Sequence, residues 1–150
     1  MSNQLFPVFD SPEIKIENPA EKQKYRQSVS FDFGSGDFNA DGSNNMTLTS
    51  GRDVFIQWCM TVLHTERGSC LAYNSDIGVE MIEAMAMPSE PAQCSAIERT
   101  VKEALMVNPQ TEYVRDFTFQ NGPDYLICSF RIKGKPWEEL PLQLAVPKGG

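Results

Sequence analysis

The sequence predicts an α+β fold: a small antiparallel sheet packed with about three helices, plus extended N- and C-terminal arms. Three observations carry this reading. Residues 28–33 and 125–132 alternate apolar and polar side chains with the period of a half-buried strand. Residues 51–65 and 91–107 repeat apolar residues at spacings of three and four, the stripe of an amphipathic helix. The order runs strands, helices, strands, unlike the regular alternation of a parallel α/β sheet. At 150 residues and 41% hydrophobic composition, the chain suits one cored domain. We divide it into an extended N-terminal arm at 1–27, a globular α+β domain at 28–134 and a C-terminal extended strand or arm at 135–150.

The elements follow in order. Pro7, Pro12 and Pro19 block regular structure in the N-terminal arm. Its Leu5, Phe6, Val8 and Phe9 are apolar enough to pack against another surface. Val29, Phe31 and Phe33 share one strand face, Gly34-Ser35-Gly36 turns the chain, and Asp37 to Ala40 returns. A second turn at 41–45 leads to a third strand at 46–49, completing a small meander. Ser50 is placed to cap the first helix, with Asp53 in its first turn. Phe55, Trp58, Cys59, Val62 and Leu63 form its apolar face; Arg52, Asp53, Gln57 and Thr61 fill the opposite side. Gly68 breaks the helix, and Leu71 to Tyr73 reads as a short extended piece. A short helix at 79–86 is expected to turn Ile82 and Met85 inward until Pro88 stops it. Pro91 suits the first turn of a third helix, which buries Cys94, Ile97, Val101, Ala104 and Leu105 and ends at Asn108-Pro109. Two strands flank Asn121-Gly122, a strong hairpin signal. Gly134 to Pro136 interrupts the pattern. Leu140, Leu142, Leu144 and Val146 then alternate along the last extended segment, where Glu138 and Glu139 moderate an exposed edge.

Charge and motifs narrow the function. A net charge of −7 argues against nucleic acid as the main partner, since phosphate binding needs a basic surface. No run approaches the ~20 apolar residues of a membrane span, and the N-terminus does not read as a secretory signal, so cytoplasmic folding is expected. Cys59, Cys70, Cys94 and Cys128 fit no zinc spacing and read as reduced thiols. Asp37-Phe38-Asn39-Ala40-Asp41-Gly42 matches the first half of a calcium loop, but the required twelfth-position carboxylate is Leu48. We therefore read a polar hairpin turn. His64 beside Glu66 and Arg67 suggests acid/base chemistry, yet no nucleophile elbow accompanies it; a helix C-terminus is the better place for this histidine. Glu66, Glu80 and Glu83 make no specific glycosidase pair. No catalytic residue, metal or cofactor is expected. Arg67 either braces its own loop or docks a partner.

These residues together resemble a known family. Phe31-Asp32-Phe33, Gly36-Asp37-Phe38, Asp41-Gly42, the Gly51-led helix with Gln57-Trp58, Thr65-x-Arg67, Tyr73, Asp76-Ile77-Gly78 and Ala104-Leu105…Asn108-Pro109 resemble the sheath initiators of contractile tails, small baseplate proteins also called lysozyme-like. The resemblance spans about residues 28–132, in the form found in particles of Gram-positive bacteria. T-even relatives carry Glu-Pro-Arg after the helix; here Thr65-Glu66-Arg67 stands in that place without proline.

The resemblance implies a structural baseplate subunit of a phage tail or tail-like bacteriocin, joined to wedge proteins and to the tail sheath protein, with tube or hub proteins as further neighbours. It implies a virion or tail-like particle location after assembly in the host cytoplasm. The expected docking loops are Thr65, Glu66, Arg67, Tyr73, Asp76 and Gly78; Leu140, Leu142, Leu144 and Val146 would join a sheath strand network. The alternative is a peptidoglycan-cleaving muramidase dependent on Glu66, and a third reading is a free-standing regulatory binding module.

Overall fold

The computed structural model describes residues 27–149. The expected N-terminal arm lies outside the described residues except for Gln27. The elements are β1 (Ser28–Val29), β2 (Phe31–Asp32), β3 (Asp37–Phe38), β4 (Leu48–Thr49), α1 (Arg52–Leu63), α2 (Met81–Met85), α3 (Glu90–Met106), β5 (Thr111–Asn121), β6 (Tyr125–Gly134) and β7 (Leu140–Pro147). The fold is α+β, with small antiparallel sheets and three helices.

One core organises the chain. β6 lies between β5 and β7, antiparallel to both. Its alternation buries Leu126, Cys128, Phe130 and Ile132 on one face. These meet Phe55, Cys59 and Val62 of α1 and Ile97, Val101 and Leu105 of α3. Burial pushes the Cys59 and Cys128 thiols up to about 12, so both remain protonated, small hydrophobes. Two threonines enter the interior with partners. Thr111 Oγ1 donates to the Leu105 carbonyl at 2.8 Å, and Thr100 Oγ1 accepts from Glu80 N at 2.8 Å.

The C-terminal segment is not a separate arm. β7 pairs with β6 from Tyr125↔Pro147 to Ile132↔Leu140 without a register break. Leu140, Leu144 and Val146 are buried in the common core and Leu142 is half-buried. Gly134 to Pro136 interrupts the pattern because the chain reverses there, not because a domain ends. Trp137 folds back, with its N–H donating to the Gly134 carbonyl at 3.0 Å and its ring stacked on Phe55 at 5.3 Å. A Cβ at Gly134 would lie 2.6 Å from the Trp137 ring, so only glycine admits this closure. Glu139 then bridges two strands, accepting from Arg115 Nε at 2.8 Å and lying 3.4 Å from Arg131 Nε.

The helices depart from expectation in instructive ways. Gly51, at φ 63°, is the residue that caps α1, and no side chain caps it; Ser50 lies one residue too early. Leu71 to Tyr73 is a turn rather than an extended piece, with Tyr73 N donating to Cys70 O at 3.3 Å. Val79 enters the core before α2 begins, so the short helix is phased by Met81, Ala84 and Met85; Ile82 points out, 75% exposed. Ser89 caps α3 as its side chain accepts from Ala92 N.

The meander is held to this core by one amide. β1 pairs with β4 and β2 with β3. Gln57 sits on the face of α1 that looked solvated. Its Oε1 accepts from Phe31 N at 3.1 Å and its Nε2 donates to Val29 O at 2.9 Å. The side chain thus imitates a neighbouring strand. Phe33 adds a stack on His64 at 5.8 Å.

Replacing Gln57 with Leu should loosen the meander and leave the core intact. Loss of both bonds costs roughly 1–3 kcal/mol, so Phe31 amide exchange should accelerate about tenfold or more while α3 amides keep their protection. Hydrogen exchange by NMR reads both.

A pH effect follows from the Glu139 bridge. The hydrogen bond from Arg115 holds the Glu139 carboxyl below its ordinary 4.5. Its contribution is therefore present above pH 4.5 and fades as pH falls through the lower folded value. Thermal melts from neutral pH into this acid window should show Glu139→Gln less stable than wild type at neutral pH and flatter on acidification.

Candidate partner-binding site

Two elbows, at 65–67 and 78–80, lock against each other through their backbones. Thr65 O accepts from Val79 N at 2.9 Å, and Val79 O accepts from Arg67 N at 2.9 Å, making a short parallel bridge. Gly78 makes this approach possible. It sits at φ 112°, and a Cβ there would lie 2.7 Å from Thr65 O and 2.9 Å from Arg67 N. Both its angle and its surroundings require glycine.

The charged residues of the elbows serve this junction. Glu66 accepts from Met81 N at 3.0 Å and from Ile82 N at 3.3 Å, supplying from a distance the cap that α2 lacks locally. Its oxygens hold backbone, which is not the free geometry of a general acid. Arg67 Nη1 meets Glu80 Oε1 at 3.1 Å, and its Nε donates to Gly78 O at 3.4 Å. Of the two roles open to Arg67, this geometry is that of a brace. His64 Nδ1 lies 2.7 Å from the Met60 carbonyl, so that nitrogen carries the proton and closes the end of α1. Asp41, in the calcium-like turn, accepts instead from the Ser43 and Asn45 amides, both at 2.9 Å.

Tyr73 and Asp76 take no part in these hydrogen bonds and lie on exposed turns. Near Tyr73 in sequence, Leu71 is fully exposed. Four of the remaining predicted residues converge on one cavity, which Arg67, Gly78, Leu140 and Leu142 do not line. A cavity of about 270 Å³ is walled by Thr65 and Glu66 on one side and by Leu144 and Val146 of β7 on the other, with Leu63, Val79 and Met81 between. Sequence reasoning assigned these two groups to separate docking surfaces; the fold makes them neighbours. It missed Gln57 and Met81. Neither position gave a signal: Gln57 shares the polar side of α1 with Arg52, Asp53 and Thr61, and Met81 reads as any apolar residue.

The two outer edges of the sheet differ. β5 is bulged between Thr111 and Tyr113 and again between Arg115 and Thr118, where Asp116 takes φ 58°. Bulges re-aim an edge and prevent further pairing. β7 runs straight. Lys148 N donates to Asp124 O at 2.9 Å, and alternation then directs the N–H groups of 140, 142, 144 and 146 toward β6. Positions 141, 143, 145 and 147 face outward. Two of these are Pro141 and Pro147, which have no N–H to offer. Gln143 and Ala145 remain, each with an outward N–H and C=O.

The family model for the contractile injection system sheath initiator matches residues 27–135. This chain belongs to that family. No curated protein matches it. The match covers the meander, all three helices, β5 and β6. The protein is a sheath initiator of a contractile tail, from a family of structural components, and is thereby associated with sheath and tail parts of a tail-like particle. Among the described residues, no helix is long and apolar enough to cross a membrane.

Gly78→Ala should be among the most damaging single changes outside the core. Backbone strain and the clash with Thr65 predict a loss of about 3 kcal/mol. Chemical denaturation, compared with Gly42→Ala in an open turn, checks it.

Proposed function

We propose that this initiator templates the first sheath ring through the outer edge of β7, without catalysis, while the elbows around Arg67 and the turns bearing Tyr73 and Asp76 join the baseplate wedge. The observation that carries the reading is the contrast between edges: β5 is bulged twice, and β7 is straight with two outward donors. A sheath strand laid there gains main-chain hydrogen bonds at Gln143 and Ala145, the usual basis of strand addition. Leu140, Leu144 and Val146 contribute by fixing β7 in the core rather than by entering the sheath themselves. Wedge docking through Tyr73 and Asp76 rests on their exposure and on the rigidity of the braced elbows beside them.

Deleting 137–150 would remove Trp137, Leu140, Leu144 and Val146 from the core, so loss of assembly would have two explanations. Ala145→Pro separates them. It removes one outward donor at a position type already occupied by proline in β7. The variant should melt within a few degrees of wild type, yet tails carrying it should lack an ordered first sheath ring. Normal sheaths on such tails would sink the proposal.

A further inference from the structure

The cavity beside β7 adds side-chain selectivity to this strand addition. Leu144 and Val146 face the core, whereas Ala145 and Pro147 belong to the opposite face of the sheet, and all four line the cavity. A space touching both faces of a strand lies along its edge. An added strand would run about 4.8 Å from β7, directly over this opening. In either direction, residues opposite Gln143 and Ala145 share their solvent face, and the residue between them shares the face of Leu144. That intermediate side chain therefore points into the space bounded by Leu63, Val79, Met81, Leu144 and Val146.

Charge restricts the occupant as well. Glu66 is the one carboxylate that lines the cavity, and the Arg67 charge beside it in sequence is paired with Glu80. The whole chain carries −7. An incoming segment with basic residues is attracted to this rim and an acidic one repelled.

Resting on the strand-addition reading, we propose that the β7 site selects a short, net-positive extended segment with one Leu-sized apolar side chain, seated opposite Leu144 in the elbow cavity. The prolines confine pairing to the window around Gln143 and Ala145, so this single side chain carries most of the discrimination.

The test uses the full chain, isotope-labelled for NMR, and three capped eight-residue peptides of alternating Thr and Lys with Leu, Ala or Asp at one central position. The Leu peptide should shift the Gln143 and Ala145 amides together with the methyls of Leu63, Val79 and Met81. The Ala peptide should bind about tenfold more weakly or worse, since several buried methylenes are lost, and the Asp peptide should bind least. Equal binding of the Leu and Ala peptides at the two amides, without methyl shifts, would overturn the cavity inference and leave strand addition standing. No response at Gln143 or Ala145 to any peptide at millimolar concentration would overturn both.

Discussion

The backbone contact at Gly78 governs the junction between the end of α1 and the start of α2. Without it, Val79 could not bond to both Thr65 and Arg67, and Glu66 would not reach the first amides of α2. The helix is only five residues long and has no cap of its own, so it depends on that distant carboxylate. Arg67 and Glu80 then close the junction from outside. The cavity wall formed by Val79 and Met81 exists because these two chain segments are pinned together. A single missing side chain thus propagates from local backbone geometry to the shape of a cavity wall.

The sheet is managed with equal economy. β5 is ended as a pairing surface by two bulges, and its Arg115 is turned to hold Glu139. β7 keeps a regular backbone and is limited by Pro141 and Pro147 instead. The two devices have different results. A bulge disorganises an edge along its length, whereas a proline removes one donor and preserves the strand.

Much of the fold was legible because apolar periodicity reports burial directly. β6 alternates without fault, and the faces of α1 and α3 match their apolar stripes. The failures share a cause: each depends on what lies across space. Gln57 looked solvated because an amide on a helix surface gives no hint that a strand will pair with it. Ile82 was assigned inward because helical phase was counted from Val79, which belongs to a tertiary bridge. The last segment was read correctly as a strand, but its alternation was ascribed to a partner when its own β6 satisfied it. Charge was ambiguous in the same manner. Glu66, the natural candidate for an acid, is a capping group whose targets lie fifteen and sixteen residues on.

The proline pair on β7 also has a bearing on self-association. A sheet edge with donors at every second residue can accept chains of any length, and each added strand exposes a fresh edge for another. Here the receptive stretch is bounded at both ends by Pro141 and Pro147. The outer edge of β7 thus offers a ladder too short to seed an open-ended stack of its own kind.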